Sequence, residues 1–148
     1  MKTIVINASP RKRWNTSQIM KSASEGAKSV GASVEYIDLY DIDLKGCMSC
    51  MVCKSKKTDK IKCYLKDDLS PIIEKILEAD TLLIGSPIYF GKVTSHFRAL
   101  MERLIFCVLS YDDYTTLGVW IFSSKIQHNC SYFYYLSSPY LIVSKNTI

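Results

Sequence analysis

Four cysteines carry the most distinctive chemistry in the chain. Cys47, Cys50 and Cys53 are separated by two residues each in the run Cys47-Met48-Ser49-Cys50-Met51-Val52-Cys53, and Cys63 follows after nine more. Three thiolates at that spacing can converge from one tight loop, and a fourth completes tetrahedral or cubane ligation. Such runs suit a [4Fe-4S] cluster. They also suit zinc, or free and reversibly oxidised thiols, and the spacing leaves all three open. Lys54, Lys56, Lys57, Lys60 and Lys62 crowd the stretch between Cys53 and Cys63. Their charge would raise the potential of an anionic cluster or attract an acidic electron-transfer partner, although a plain solvated loop has the same composition. Cys107 and Cys130 lie in apolar surroundings and read as core residues. His96 and His128 stand alone.

A second constellation lies near the start, in Asn7-Ala8-Ser9-Pro10-Arg11-Lys12-Arg13-Trp14-Asn15-Thr16-Ser17. Hydroxyls, amides and a guanidinium gathered before a helix offer an anion charge, side-chain donors and the unpaired N–H groups of the first turn. A capped helix behind a polar turn would use the same residues, so the chemistry alone does not choose. No GxGxxG or GxxxxGK[ST] pattern is present, which argues against a dinucleotide fingerprint and a P-loop.

The elements that must position these groups alternate. Residues 2–7 read as a short buried strand. A helix is expected from Thr16 to about Val30, with Ile19, Ala23, Ala27 and Val30 as its apolar stripe and Gly31 as its C-terminal glycine. Residues 34–39 read as a second strand and residues 40–66 as irregular. A second helix is expected from Ser70 to Glu78, with Ser70 as N-cap and Pro71 in the first turn. Residues 81–85 form a third strand, Pro87 to Gly91 a loop, and a third helix runs to about Phe106. Its apolar side is Val93, Phe97, Leu100, Met101 and Leu104. Leu117 to Phe122 is a fourth strand. This alternation predicts an α/β fold: a doubly wound parallel sheet with right-handed crossovers and helices on both faces.

The chain of 148 residues, 48% hydrophobic, fits a single domain. Residues 1–106 follow the alternating pattern and 107–148 form an atypical, tyrosine- and serine-rich tail. The net charge of +5 is modest and, outside the stretch between Cys53 and Cys63, the lysines are scattered, so no nucleic-acid partner is expected. No apolar run reaches membrane-spanning length and the apolar start is too short for a signal peptide, so a cytoplasmic location without membrane contact is expected. In that reducing setting six cysteines point to metal or redox chemistry rather than disulfides.

A third motif, Gly85-Ser86-Pro87-Ile88-Tyr89-Phe90-Gly91, follows the third strand, where open α/β sheets bind ligands. A proline, two aromatics and a glycine can present backbone donors and a flat apolar wall, or simply pack as a turn. With this motif in place, residues 1–105 resemble the family of NAD(P)H-dependent FMN reductases and iron-sulfur flavoproteins. The resemblance rests on Asn7-Ala8-Ser9-Pro10-Arg11 with Asn15-Thr16, on the G-S-P-x-Y-F-G motif, and on Leu100-Met101-Glu102-Arg103 in the helix that follows.

That resemblance implies a flavodoxin-like fold with strand order 2-1-3-4-5. It implies that Ser9, Arg11, Asn15, Thr16 and Ser17 wrap the FMN phosphate, and that Pro87, Ile88, Tyr89, Phe90 and Gly91 contact the flavin ring. It also implies a [4Fe-4S] cluster on Cys47, Cys50, Cys53 and Cys63, although the last gap is longer than is usual in relatives. Ser123-Ser124-Lys125, where a third flavin loop belongs, does not match. The implied activity is that of an FMN-binding oxidoreductase or electron-transfer flavoprotein. NAD(P)H or a ferredoxin-like protein would be the donor, and a homodimer or homotetramer the assembly. A cluster-free NAD(P)H-dependent FMN or quinone reductase and a non-catalytic thiol or zinc sensor are the alternatives. No residue stands out as a catalytic acid or base.

Overall fold

A computed structural model describes residues 1–55 and 61–108, together with the backbone of 134–135 and 141–142. β1 (Lys2–Asn7), β2 (Ser33–Asp38) and β3 (Thr81–Gly85) form a parallel sheet in the order β2-β1-β3. In register, Val5 lies between Tyr36 and Leu83, and Asn7 between Asp38 and Gly85. α1 (Asn15–Ser29) connects β1 to β2, and α2 (Leu69–Glu78) precedes β3. α3 (Ser95–Val108) follows a hairpin of β4 (Ile88–Tyr89) and β5 (Lys92–Val93). β6 (Tyr134–Tyr135) and β7 (Leu141–Ile142) form a separate antiparallel pair. The predicted fourth strand at residues 117–122 lies outside the described residues.

The sheet is covered on both faces, as parallel strands with continuous apolar runs require. Ile4 and Ile6 face one core with Ile37, Leu39, Leu69, Ile72, Ile73, Ile76, Ile84, Phe97 and Leu100. α1 covers the other face. Its boundaries match expectation within a residue, but its stripe does not. The buried residues of α1 are Thr16, Ser17, Met20 and Ser24, whereas Ile19 is 36% and Val30 76% exposed. Small hydroxylated side chains let the helix approach the sheet closely, and that closeness outweighs the larger hydrophobes on the neighbouring stripe. At its far end Gly31 (φ +83°) donates to Lys28 O and Ala32 to Ala27 O, the paired bonds of a Schellman ending.

α2 starts one residue before the sequence suggests. Asp68 is its N-cap residue, and the cap bond comes from Asp67, whose Oδ1 accepts the Ser70 N–H at 3.2 Å. The Ser70 hydroxyl instead donates to Leu65 O. The segment expected as a loop after Pro87 contains β4 and a tight turn. Phe90 (φ +51°) and Gly91 (φ +73°) are its two central residues, both left-handed, as a type I′ hairpin turn demands. On α3, Phe97, Leu100, Arg103 and Cys107 are the buried positions, so a charged residue shares the apolar stripe. Among the described residues no helix is long and apolar enough to cross a membrane.

Candidate functional site

The carboxyl ends of β1 and β3 bring two loops together. Asn7 ends β1 and is fully buried. Its Nδ2 donates to Ser17 Oγ at 2.9 Å and to Asp38 Oδ1 at 2.5 Å, while its Oδ1 accepts the Ser9 N–H at 3.2 Å. One amide thus ties β1 to β2, to the loop and to α1. Ser17 Oγ donates onward to Arg11 O at 2.8 Å, and Ser9 Oγ accepts the Arg11 N–H at 3.2 Å. The loop is therefore shaped by its own polar contacts.

What it presents is the start of α1. Trp14 is the N-cap residue and makes no side-chain cap bond, and the first turn holds no acidic residue. The N–H groups of a first helical turn lack intrahelical acceptors and carry the positive end of the helix dipole. Arg11 and Asn15 are exposed beside them. The Arg11 guanidinium carbon stands 4.6 Å from the centre of the Trp14 ring. Ser9 and Ser17 are buried, with hydroxyls engaged in the loop itself, and Thr16 is buried next to them. A guanidinium, an exposed amide and an uncapped helix start suit a phosphate.

The second loop is pinned to the first. Ala8 N–H donates to Gly85 O at 2.8 Å, and Thr94 Oγ1 donates to Ala8 O at 2.9 Å. Ser86 Oγ accepts the Thr94 N–H at 3.1 Å and donates to Pro87 O at 2.9 Å. On this frame Pro87 is half-buried, while Ile88, Tyr89 and Phe90 are exposed in succession. Consecutive exposed apolar side chains beside an anion seat form a wall suited to a flat ring. Asn7 and Ser86 stand in the two motifs but were given no role from the sequence, and Thr94 was not named. Their signal was polar residues bordering a strand end and a helix start, where backbone groups need partners.

The cysteines sit at the other end of α3. Ser49 (φ +52°) and Met51 (φ +61°) are left-handed and curl the loop, and a single 3₁₀ turn, Val52–Lys54, follows. Cys47 and Cys50 are exposed, Cys53 and Cys63 half-buried, and Cys107 buried. All five line one hollow that opens to solvent, together with Arg103, Leu65 and Phe106. Cys107 is thus a core residue as expected, yet it also faces the cysteine hollow. Cys130 lies outside the described residues. Among the described residues no three His, Cys, Asp or Glu side chains gather tightly enough to hold a single metal ion. Cys47, Cys50, Cys53 and Cys63 nonetheless line the same hollow, and four thiols are the donor set that an iron-sulfur cluster requires.

Behind the hollow, Arg103 is 1% exposed. Its guanidinium forms a two-pronged pair with Asp67, with Nη2 at 2.9 Å from Oδ1 and Nη1 on Oδ2. Nη1 also donates to Lys45 O at 3.1 Å, and Nη2 to Ser70 Oγ at 2.6 Å and to Cys63 Sγ at 3.3 Å. Burial opposes charge on Cys63, but the Leu65 backbone, Arg103 and Ser70 outweigh it and hold the thiol below its ordinary value. Cys107 goes the other way. Burial, with Cys63 and Cys53 beside it, pushes it up to about 12, so it stays a thiol at neutral pH.

Comparison with known proteins gives the family and the fold. The family model described as NADPH-dependent FMN reductase matches residues 1–117. An iron-sulfur flavoprotein of Methanocaldococcus jannaschii is 38% identical over 103 residues, covering 70% of this chain and 51% of that protein. One from Archaeoglobus fulgidus is 40% identical over 103 residues, covering 70% and 48%. The chain therefore spans about half the length of the curated relatives it matches. Among solved structures, a flavone reductase superposes with a TM-score of 0.55 at 22% identity, covering 73% of this chain and 31% of that one. A Streptococcus mutans protein gives 0.53 at 17% identity, covering 76% and 58%. These structural likenesses establish the flavodoxin-like fold. With the family model spanning most of its length, the chain belongs to the NADPH-dependent FMN reductase family.

Proposed function

We propose that this chain binds FMN between its first and third strand ends and works as an oxidoreductase. The observation that carries the reading is the joining of two loops at Ala8, which sets an uncapped helix start beside an exposed apolar wall. Bound there, FMN would supply hydride and single-electron chemistry. Arg11, Asn15 and the first-turn N–H groups of α1, with Thr16 and Ser17, hold its phosphate. Ser9 shapes the loop that aims them. Pro87, Ile88, Tyr89, Phe90 and Gly91 flank the ring and keep water from one side of it. NAD(P)H is the proposed donor.

Cys47, Cys50, Cys53 and Cys63 would hold a [4Fe-4S] cluster, which accepts and passes single electrons when present. The iron-sulfur flavoproteins among the relatives and the thiol-lined hollow support this. A homodimer or homotetramer is proposed as the working assembly, and sedimentation as a monomer at micromolar concentration would refute it.

Flavin binding tests the first claim. Arg11→Ala and Thr16→Ala should each weaken FMN binding, read by quenching of flavin fluorescence. A charge-assisted hydrogen bond is worth roughly 1.5–3 kcal/mol, so the Arg11 variant should lose about ten- to a hundredfold. If both variants hold FMN as tightly as the parent, or the parent holds none, the reading fails. A cluster-free reductase is the second reading, favoured by the absence of three tightly gathered ligands among the described residues. Anaerobic purification with iron and FMN assays separates the two. Broad visible absorbance beyond the flavin bands, lost in Cys50→Ser, supports the cluster. A colourless protein holding stoichiometric zinc would point instead to a thiol or zinc sensor.

A further inference from the structure

Arg103 is an expensive residue for the position it holds. A fully buried guanidinium must have its charge matched and its five N–H groups occupied, or its desolvation goes uncompensated. Asp67 neutralises the charge, and the two Asp67 oxygens, Lys45 O and Ser70 Oγ lie on the four N–H directions of Nη1 and Nη2. A structural arginine would stop there. This one also sends Nη2 to Cys63 Sγ at 3.3 Å, and its Nε is buried without a hydrogen-bond partner among the described residues. The same side chain forms part of the wall of the cysteine hollow. It therefore shares an Nη2 donor with a thiol and leaves Nε–H without a partner among the described residues.

We infer that Arg103 is a positioning and tuning residue for the proposed iron-sulfur cluster, holding Cys63 Sγ through Nη2 and offering Nε–H to an acceptor in the hollow. The inference rests on the cluster reading above. Its physical content is electrostatic. One-electron reduction adds one negative charge, spread over the ligating sulfurs. An N–H donor aimed at one of those sulfurs stabilises the reduced form more than the oxidised form, and so raises the potential. Asp67 fixes the orientation of the fork, because a two-pronged carboxylate pair leaves the guanidinium plane little freedom. Arg103 acts through the sulfur of Cys63 and is not itself a ligand. Lysine, with a point charge and no planar fork, keeps the positive charge but cannot serve Asp67 and Cys63 in the same geometry.

The full chain, reconstituted anaerobically with iron and sulfide, provides the test. Parent and Arg103→Lys are titrated with dithionite, and the reduced cluster is followed by electron paramagnetic resonance. The variant should load the same iron and show a lower midpoint potential. A tenfold loss in preference for the reduced form reads as a shift of about 59 mV for one electron. Equal iron content with an unchanged potential overturns the role of Arg103 and leaves the cluster standing. A parent that assembles no cluster removes both. Should Arg103→Lys fail to fold, the parent labelled with ¹⁵N-arginine decides the matter. A nitrogen hyperfine coupling on the reduced cluster supports the contact, and its absence overturns it. Arg103 is the arginine that lines this hollow, so the label is diagnostic.

Discussion

Asn7 and Ser17 share a hydrogen bond of 2.9 Å between a strand end and the first turn of a helix ten residues later. Both side chains are fully buried, and each makes a second contact: Asn7 with Asp38, Ser17 with Arg11 O. The loop proposed to meet the phosphate is thus held from beneath by Asn7, which need not touch it. Arg11 is placed by its own backbone, through Ser9 and Ser17, while its exposed guanidinium lies over the Trp14 ring.

Replacing Asn7 by Ala leaves Ser17 Oγ, Asp38 and the Ser9 N–H short of a partner in a buried setting. Each orphaned buried group costs roughly 1–3 kcal/mol. Asn7→Ala should lower the unfolding midpoint in urea by an amount corresponding to at least one such group. It should also weaken FMN binding by more than Ser9→Ala does, because it releases both ends of the loop. Equal flavin affinities in the two variants would show that the loop keeps its shape without Asn7.

Gly85 ends β3 beneath α1, where a Cβ would lie 2.7 Å from Met20 Cγ and 2.8 Å from Met20 Sδ. Met20 is completely buried and has little room to withdraw. Overpacking of this kind costs typically about 1–3 kcal/mol. Gly85→Ala should destabilise the chain to that extent in thermal or urea unfolding. Adding Met20→Ala should then cost less than Met20→Ala does in the parent, which a double-mutant cycle measures directly.

Much of this architecture is written in local pattern. The three strands and three helices fall where alternation and periodicity put them, because β-branched runs such as Thr3-Ile4-Val5-Ile6 fit only a doubly covered sheet. The buried face of α1 was not legible. Ile19 and Val30 dominate any count of apolar periodicity, yet the contact with the sheet is made by Met20 and small serines, since closeness to β1 and β3 rather than hydrophobic size selects the face. The cap of α2 was misread because Ser70 and Asp67 are both good cap residues, and only the tertiary pull of Arg103 decides between them. Arg103 was legible only as the end of the Leu100-Met101-Glu102-Arg103 signature; its burial was hidden until its partner, thirty-six positions earlier, is known. The two ligand loops were legible as motifs, but their joining through Ser86, Thr94 and Ala8 is a tertiary fact.

Phe90 occupies the first central position of the β4–β5 turn at φ +51° and is wholly exposed. A bulky residue in the left-handed region costs roughly 1–2 kcal/mol, and such strain persists where function needs it. Phe90→Gly should therefore tighten the hairpin and raise the unfolding midpoint slightly. The same change removes an apolar side chain from the proposed flavin site and should weaken FMN binding. Stability and affinity moving in opposite directions is the expected result. A variant that loses stability would show that Phe90 packs against something more than its own turn.

Asp67 gives the chain an acid limit. Burial would raise the pKa of its carboxyl, but the Arg103 guanidinium and the backbone N–H groups of Lys45 and Ser70 prevail and hold it below the ordinary carboxylate range. A carboxyl with a lower pKa in the folded than in the unfolded state stabilises the fold at all pH values above its unfolded pKa of about 3.9. That contribution fades as pH falls through the depressed folded value, where the proton displaces Arg103. Asp67→Asn removes one partner of a buried pair and strands the other, which costs about 3–5 kcal/mol at neutral pH. Unfolding free energies of parent and variant measured from pH 7 down to the acid limit should converge as the parent's advantage disappears. A constant gap between the two curves over that range would mean that the carboxylate is not what secures Arg103.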